Sequence, residues 1–507
     1  MKFLEHQNVM ILGLGISGLA MARWCSFHGS VVTVVDTRAH PPQLNQFKKE
    51  LPDAQFVCSM FDATLLVDTE INYLLISPGI KPSDVKEIVL SANLKKIPIG
   101  NELTLFNMAL ANLNETENYK PAVLAITGTN GKTTVTSLTG KLIASANMTV
   151  AVAGNIGPSL LDTLRNKIDA NDLPQAWVLE LSSFQLNDAT GFEPTVGVVL
   201  NLTQDHLDWH ETMDSYISAK SNVYGSRAIM VVNRDDEAVM ALLSNAKTLN
   251  RQRSFCSFGR DLPTRLGDYG LESVNGMTWL VRAISRDDMV VKKQRSLIEP
   301  TIDLSLQRLI PAEAIQIKGQ HNLLNALAGL ALAETIGCNI SRILYGLREY
   351  KGEPHRVESI GSINGVEYFD DSKGTNVGAT VAAISGLGQE RKIVVILGGE
   401  GKGQDFSPLI EVAKKFVRAV VLIGKDKDII GEVLKEVDLP KIFVESMSQA
   451  VSAAAKHSIK GDVVLLSPAC ASLDMFENYE HRGNVFQTEV KVLNRMDIQE
   501  FAGGVAS

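Results

Sequence analysis

An α/β architecture in three domains is what this sequence predicts: a Rossmann-like N-terminal domain, a P-loop-type central ATPase domain and a Rossmann-like C-terminal domain. Three observations carry that expectation. Short apolar, β-branched runs recur along the chain, each closed by glycine or a polar turn and followed by a helical pattern, as buried parallel strands alternate with helices. Two of these strands run into glycine-rich turns that open helices. The 507 residues are too many for one core, and about 150 residues per domain gives three.

The predicted strands are Val9–Leu12, Val31–Val35, Tyr73–Ile76, Val123–Ile126, Trp177–Leu181, Val196–Leu200, Ile393–Leu397, Ala419–Ile423 and Val463–Leu466. Polar breaks at Asn112–Pro121 and Tyr350–Pro354 place the domains at 1–115, 116–350 and 351–507. After the second break, Ile363-Asn364-Gly365-Val366 carries an Asn-Gly hairpin signal, so the third domain opens with an antiparallel pair. Residues 251–309 are more charged and irregular, with a short strand candidate at Met277–Val281. They read as an elaboration of the middle domain without assigned chemistry.

Composition excludes several classes of function. With 49 basic and 57 acidic residues the net charge is −8, which implies no general affinity for nucleic acid or an anionic membrane. Five scattered cysteines (Cys25, Cys58, Cys256, Cys338, Cys470) form no C-x-x-C pair and read as reduced, mostly buried thiols. No run of about eighteen apolar residues appears, so no membrane insertion is expected and the location is expected to be cytoplasmic.

Gly13-Leu-Gly-Ile-Ser-Gly18 follows the first strand, and Asp36 ends the second, the arrangement of a dinucleotide fingerprint. Alone it is a non-specific signal that would also suit an NAD or FAD oxidoreductase. A second loop, Thr127-Gly128-Thr129-Asn130-Gly131-Lys132-Thr133-Thr134, runs from a buried strand into a helix expected over Thr134–Ala144. Its backbone amides can cradle phosphate, Lys132 can reach the β/γ oxygens, and the Thr133 hydroxyl can bind Mg²⁺. It departs from the full Walker pattern, because Ile126 stands where the first glycine belongs. Glu180 and the Asp205-His206 pair follow the next strands, where open α/β sheets collect ligands. A carboxylate and an imidazole there could complete Mg²⁺ sites.

The motifs together resemble the Mur ligases, ATP-dependent amide-forming enzymes of peptidoglycan precursor synthesis. The likeness rests on Thr127–Thr133, Gly154-Asn155-Ile156-Gly157, Glu180–Gln185, Asp205-His206, Gly319–Asn325, His355-Arg356, Asp371–Asn376 and Leu466–Ser472, in order across all three domains. Ser77-Pro78-Gly79-Ile80, Asp371–Asn376 and Ser467–Phe476 resemble, in combination, the branch that adds D-glutamate to UDP-N-acetylmuramoyl-L-alanine. The resemblance implies ATP and two Mg²⁺ sites, no NAD or FAD, and a monomer.

By matching positions, the resemblance implies that Ile16, Ser17, Asp36, Thr37, Arg38, Ser77 and Gly79 contact uridine and diphosphate, with Asp36 facing the uracil region. Asn155 and Gln185 would lie nearer the sugar and its lactoyl-alanine arm. Gly128, Thr129, Asn130, Gly131, Lys132, Thr133, Thr134, Asn325, Arg356 and Asp371 would serve ATP. Thr133, Glu180, His206 and a carbamylated Lys220 would hold metal. Without the resemblance, Lys220 reads as a surface lysine on a helix over Asp214–Tyr224. Lys373, Thr375, Lys402, Ser472, Leu473 and Tyr479 would grip D-glutamate, whose two carboxylates need cations and hydroxyl or backbone donors. Tyr479 stands where the family carries phenylalanine, and Gly374, where alanine is common, is expected to matter little.

The implied chemistry is attack of the substrate carboxylate on ATP to give an acyl phosphate, then aminolysis by D-glutamate, with Lys132, His206, Lys220, Lys373 and Asp371 in catalytic roles. Tyr350–Pro354 is the natural hinge. A folylpolyglutamate synthetase-type ligase would share the ATP loop but would not need the first domain. A nucleotide-dependent regulatory protein would not need Lys132, Glu180, His206, Lys220 and Lys373 together.

Overall fold

The computed structural model describes residues 4–67, 69–155, 157–189, 191–248, 253–285, 304–388 and 391–503. It contains three sheets. The first is built from β1 (Asn8–Leu12), β2 (Val31–Asp36), β3 (Gln55–Cys58), β4 (Tyr73–Ile76) and β5 (Ile99–Gly100), in the order β3-β2-β1-β4-β5 with every pair parallel. The order reverses at β1, so the turns after β1 and β4 open a crevice at the carboxyl ends of the strands.

The second sheet has nine strands: β6 (Ala122–Thr127), β7 (Val150–Gly154), β8 (Ala176–Glu180), β9 (Val196–Val199), β10 (Ile229–Asn233), β11 (Phe255–Phe258), β12 (Tyr269–Val274), β13 (Met277–Ser285) and β14 (Leu304–Pro311). Their order is β14-β13-β12-β11-β10-β9-β6-β8-β7. Because β6 lies between β8 and β9, the loops leaving these three strands meet above one sheet edge. The irregular stretch 251–309 is thus an extension of the middle sheet, although residues 286–303 lie outside the described residues.

The third sheet contains β15 (Glu358–Ile363), β16 (Val366–Asp370), β17 (Ile393–Gly398), β18 (Val417–Ile423), β19 (Lys441–Phe443) and β20 (Val463–Leu466), in the order β15-β16-β20-β17-β18-β19. Only β15 and β16 pair antiparallel, joined at Asn364-Gly365, as the hairpin signal predicts. Asn364 and Gly365 have φ of 52° and 77°, the left-handed pair that this turn needs. The central strands are buried on both faces, which is why they read as unbroken apolar runs.

The ends of the nine predicted strands fall within two residues of the observed ones, whereas the Met277–Val281 candidate runs on to Ser285. The phosphate-loop helix, Lys132–Ser145, begins two residues earlier than expected, and the Lys220 helix ends at Ser221 before a 3₁₀ turn, Asn222–Tyr224. The cysteines are free; Cys25, Cys338 and Cys470 are buried, Cys256 is half-buried and Cys58 is exposed. Among the described residues, no helix is long and apolar enough to cross a membrane. The chain divides into two compact units, 1–273 with 281–309 and 327–346, and 274–280 with 310–326 and 347–507.

In the first sheet's glycine turn, a Cβ on Gly18 would stand 2.0 Å from the Gly13 carbonyl oxygen. The third glycine of the fingerprint therefore serves strand–helix packing rather than ligand approach. Gly18→Ala should lower unfolding stability by about 1–3 kcal/mol, read as an earlier thermal transition, because rigid backbone must yield to the methyl group.

Candidate functional site

In the first unit, the turn after β6 is fixed by the one after β9. Gly128 has φ of 153°, and a Cβ there would press within 3.0 Å of Leu200 Cβ. The Thr129 amide donates to the Asn201 carbonyl at 3.0 Å, and Asn201 exchanges hydrogen bonds with the backbone of Asn130 at 2.8 and 3.1 Å. Thr129 Oγ1 also meets Tyr216 Oη at 3.0 Å. Gly131, at φ 83°, caps the helix Lys132–Ser145 and puts Lys132, Thr133 and Thr134 in its first turn.

Two lysines converge on this loop. Lys132 Nζ donates to the carbonyls of Gly128 (2.9 Å) and Thr129 (2.7 Å), and Lys220 Nζ donates to the same Gly128 carbonyl at 2.9 Å. Lys220 is 2% exposed, so the surface-lysine reading is wrong: the Met213–Ser221 helix turns this side chain inward, over the Tyr216 ring. Burial, with the Lys132 charge adding to it, holds the Lys220 amine well below the usual ammonium range, against the opposite pull of Asp205 and Glu180.

Glu180 closes β8 and is 1% exposed. Its Oε1 accepts from Asn155 Nδ2 at 3.0 Å, while Oε2 is buried without a hydrogen-bond partner among the described residues. A buried carboxylate oxygen left in that state suits a cation. Gly154 makes the approach possible, because a Cβ there would lie 2.2 Å from the Glu180 carbonyl oxygen. Ile156 of the same loop lies outside the described residues. His206 sits at φ 53° with its half-exposed ring 3.6 Å from Asp205 Oδ2 and edge-on to Phe184.

At the head of the first sheet, Asp36 is 2% exposed and spends its carboxylate inside the protein. Oδ2 accepts from the Leu14 amide and Arg38 Nη2, both at 2.8 Å, and Oδ1 from Arg38 N and Nε, both at 2.9 Å. Burial raises its pKa, but the Arg38 and Leu14 bonds outweigh it and hold the carboxyl below its ordinary value. Asp36 thus organises the turn from within. Ile16 (69% exposed), Thr37 and Arg38 present outward, Ser17 is half-buried, and Ser77 lies against Gly13 with Gly79 open to solvent contact. Gln185 is buried, its Oε1 accepting from the Ser182 amide at 3.0 Å in a capping box.

In the second unit, Arg356 lies between His355 (φ 61°) and Val357 (φ 51°), a strained presentation for a β-branched residue. His355 Nδ1 bonds Asp370 Oδ2 at 2.7 Å, and Gln487 Nε2 donates to Asp370 (3.0 Å) and Glu358 (3.1 Å). Asn325 Nδ2 donates to Asn322 Oδ1 at 3.0 Å. Asp371 accepts from Ser467 Oγ at 2.7 Å; burial, eased by that bond and by Arg356, raises its carboxyl to about 7. Gly374 matters more than expected: a Cβ there would stand 2.5 Å from Asp371 Oδ2, so a methyl group requires that carboxyl to move.

Lys373 Nζ lies 3.7 Å over the Tyr479 ring, whose hydroxyl donates to Glu480 at 2.9 Å, away from the ring face. Thr375 follows in the same turn, its amide donating to the Lys373 carbonyl at 2.8 Å. Lys402 is exposed at φ 52°, Ser472 is buried and Leu473 is 63% exposed. Sequence reasoning missed Arg482, which is 2% exposed. It donates to Ser372 Oγ (3.0 Å), the Ser372 carbonyl (2.7 Å) and the Cys470 carbonyl (3.1 Å), tying together the turns that carry Lys373 and Ser472. Only its place in the first turn of a long C-terminal helix could have hinted at it.

The raised Asp371 pKa has a thermodynamic sign. Between about pH 4 and pH 7 the folded state holds a proton that the unfolded state has lost, so unfolding stability falls as pH rises through that window. Asp371→Asn should flatten that part of the stability profile, measured by thermal unfolding against pH.

Residues 7–99 match the model of the Mur ligase MurD-like N-terminal domain, 126–333 the Mur ligase middle domain, and 355–470 the Mur ligase glutamate ligase domain. The chain is 55% identical to a UDP-N-acetylmuramoylalanine--D-glutamate ligase of Albidiferax ferrireducens, with 97% of each chain covered. It is 46% identical to the protein of that name from Polaromonas sp., covering 97% of this chain and 99% of that one. Among solved structures it resembles the MurF ligase of Thermotoga maritima in complex with ADP, at 18% identity and a TM-score of 0.56, with 97% and 96% of the two chains covered. That likeness extends the fold assignment, and the full-length identity to the curated relatives fixes the lineage: the chain belongs to the Mur ligase family.

Proposed function

We propose that this chain is an ATP-dependent ligase that joins D-glutamate to UDP-N-acetylmuramoyl-L-alanine, a step of peptidoglycan precursor synthesis, in the cytoplasm and as a monomer. The observation that carries the reading is the convergence of Lys132, Lys220 and the half-satisfied Glu180 carboxylate around the turn after β6. The name shared by relatives at 55% and 46% identity supports the choice of substrates.

Residues 1–115 take the UDP end, through Ile16, Ser17, Thr37, Arg38, Ser77 and Gly79, with Asp36 holding the turn. Residues 116–350 take ATP on Gly128–Thr134 and with Asn325; Arg356 and Asp371, from 351–507, complete that set. Asn155 and Gln185 face the acyl arm, and Lys373, Thr375, Lys402, Ser472, Leu473 and Tyr479 bind D-glutamate. The substrate's alanyl carboxylate oxygen attacks the γ-phosphorus, the bond to the ADP oxygen breaks, and an acyl phosphate forms. The D-glutamate amine then attacks the acyl carbon, phosphate leaves, and the nitrogen gives its proton to His206 or Asp371. Lys132 offsets charge on the transferring group, and the buried turn excludes water from the acyl phosphate.

Magnesium fits the donors present, with Glu180, Thr133, His206 and a carbamate on Lys220 able to hold two ions. Bound there, it supplies charge neutralisation at the β- and γ-phosphates. A neutral Lys220 amine, favoured by its burial, can add to the carbon of CO₂ and lose a proton, giving a carboxylate-like ligand. The fingerprint at Gly13–Gly18 serves the diphosphate of the UDP-sugar, leaving no role for NAD or FAD.

Phosphate release from ATP in the presence of UDP-N-acetylmuramoyl-L-alanine should require D-glutamate; release with L-glutamate instead, or with none, would overturn the assignment. Lys132→Ala should cut turnover by about 10²–10³. Activity should fall in CO₂-depleted buffer and return with bicarbonate, whereas Lys220→Arg should be inactive under both conditions. Tyr479→Phe should leave the D-glutamate KM within about twofold, because the hydroxyl points to Glu480, and Tyr479→Ala should raise it by removing the ring beneath Lys373.

A further inference from the structure

After His206 the chain makes one short helix, Leu207–His210, bracketed by two left-handed residues that are not glycine, His206 at φ 53° and Glu211 at φ 65°. Such backbone persists only where its surroundings hold it. Two side chains of the helix are anchored. His210 Nε2 lies 2.8 Å from Ser183 Oγ, and Trp209, 8% exposed, donates its indole N–H to the Ile80 carbonyl at 3.1 Å.

Ile80 belongs to the first sheet. It closes the turn after β4, its amide donating to the Ser77 carbonyl at 3.1 Å, while the Ser77 amide donates to the carbonyl of Leu12, at the end of β1, at 2.9 Å. Its side chain lies over the glycine turn, because a Cβ on Gly13 would stand 2.8 Å from Ile80 Cδ1. On the other side, the Trp209 ring packs against Phe184 with centres 4.7 Å apart, and Phe184 meets the His206 ring at 4.8 Å. One indole therefore joins both turns of the first sheet to the loop that carries His206. The Arg23–Asp162 ion pair, at 2.9 Å, also links the N-terminal and middle domains, but it joins the helices Ile16–Phe27 and Leu160–Asp169 rather than the turns.

We propose that Trp209 is a positioning residue for the UDP-sugar substrate: it fixes the Ser77–Ile80 turn at a set distance from the loop after β9, so that one substrate spans from the first-sheet turns to the nucleotide loop. This rests on the reading that those turns take the UDP end while the acyl end reacts beside the middle-domain loops. In Trp209→Phe a ring remains beside Phe184, but the Ile80 carbonyl loses its donor and the turn is released from the loop. Free UDP occupies only the first-sheet turns, whereas the whole substrate bridges the gap, so the two ligands separate the span from the local shape of the turn.

The test is isothermal calorimetry on the full chain with UDP, with UDP-N-acetylmuramoyl-L-alanine and with ATP, alongside steady-state kinetics. Trp209→Phe should weaken binding of the whole substrate and raise its KM by about tenfold, with kcat within about threefold and the affinities for UDP and ATP within about twofold. Trp209→Leu, an apolar filler that also lacks the N–H, should behave alike and serves if the phenylalanine variant does not fold. Equal losses for UDP and for the whole substrate would show that Trp209 only maintains the shape of the turn and would overturn the proposal, as would unchanged affinity for the whole substrate in a folded variant. Should neither variant fold, the bond is structural and the proposal fails. If the unaltered chain binds the UDP-substrate but shows no D-glutamate-dependent turnover, the ligase reading fails while the affinities still decide on Trp209. If it binds ATP but not the UDP-substrate, both fail.

Discussion

The Gly128 carbonyl accepts from Lys132 and from Lys220, and much of the middle domain can be understood as the means of holding two amines at one oxygen. Two ammonium groups cannot share such a point in a dry setting without strong repulsion. Burial decides which one yields: Lys220 is enclosed and depressed, while Lys132 is only half-buried. The geometry requires the strand order. With β6 between β8 and β9, Asn201 meets the loop that carries Gly128, and Glu180 lies close enough to act on Lys220. A different order would scatter them.

The same device recurs in the other sheets with other side chains. In the first, Asp36 turns inward to hold Leu14 and Arg38, which fixes the backbone of the turn after β1. In the third, Asp371 follows β16, Ser467 follows β20 and the glycines of 399–403 follow β17, again at carboxyl ends of neighbouring strands. Arg482 then clamps the first two of these turns. Each sheet supplies a rigid rim, and the candidate site residues sit on short turns held by buried polar bonds.

Much of this was legible in the sequence for a physical reason. Strands buried on both faces must be continuous apolar runs, and a phosphate loop must combine glycine, lysine and threonine at a helix start, so β6 and Gly128–Thr134 announce themselves. The hairpin at Asn364-Gly365 is equally local. What could not be read are partnerships between residues far apart in the chain. Asn201 locking Asn130, Arg482 holding Ser372 and Asp371 denying Gly374 a methyl group leave no periodicity behind. Lys220 is the instructive case: its helix looks like a surface helix until the packing of Tyr216 and Thr127 around it is known. Gln185, expected to face substrate, also turned out to cap its own helix, because a Ser-x-x-Gln box satisfies local amides first.

The added strands β11 and β12 lie beyond β10, on the side of the second sheet that leads away from β6. Arg234 fastens them, donating to Ser257 Oγ and to the Tyr269 carbonyl at 2.9 Å, and Asp268 accepts from the Ser257 amide at 2.7 Å. Growth at that margin lengthens the chain without altering the neighbours of the nucleotide loop. It is therefore the natural latitude of this architecture, where a lineage can gain or shed residues, or a laboratory can graft a reporter, while the turnover machinery keeps its spacing.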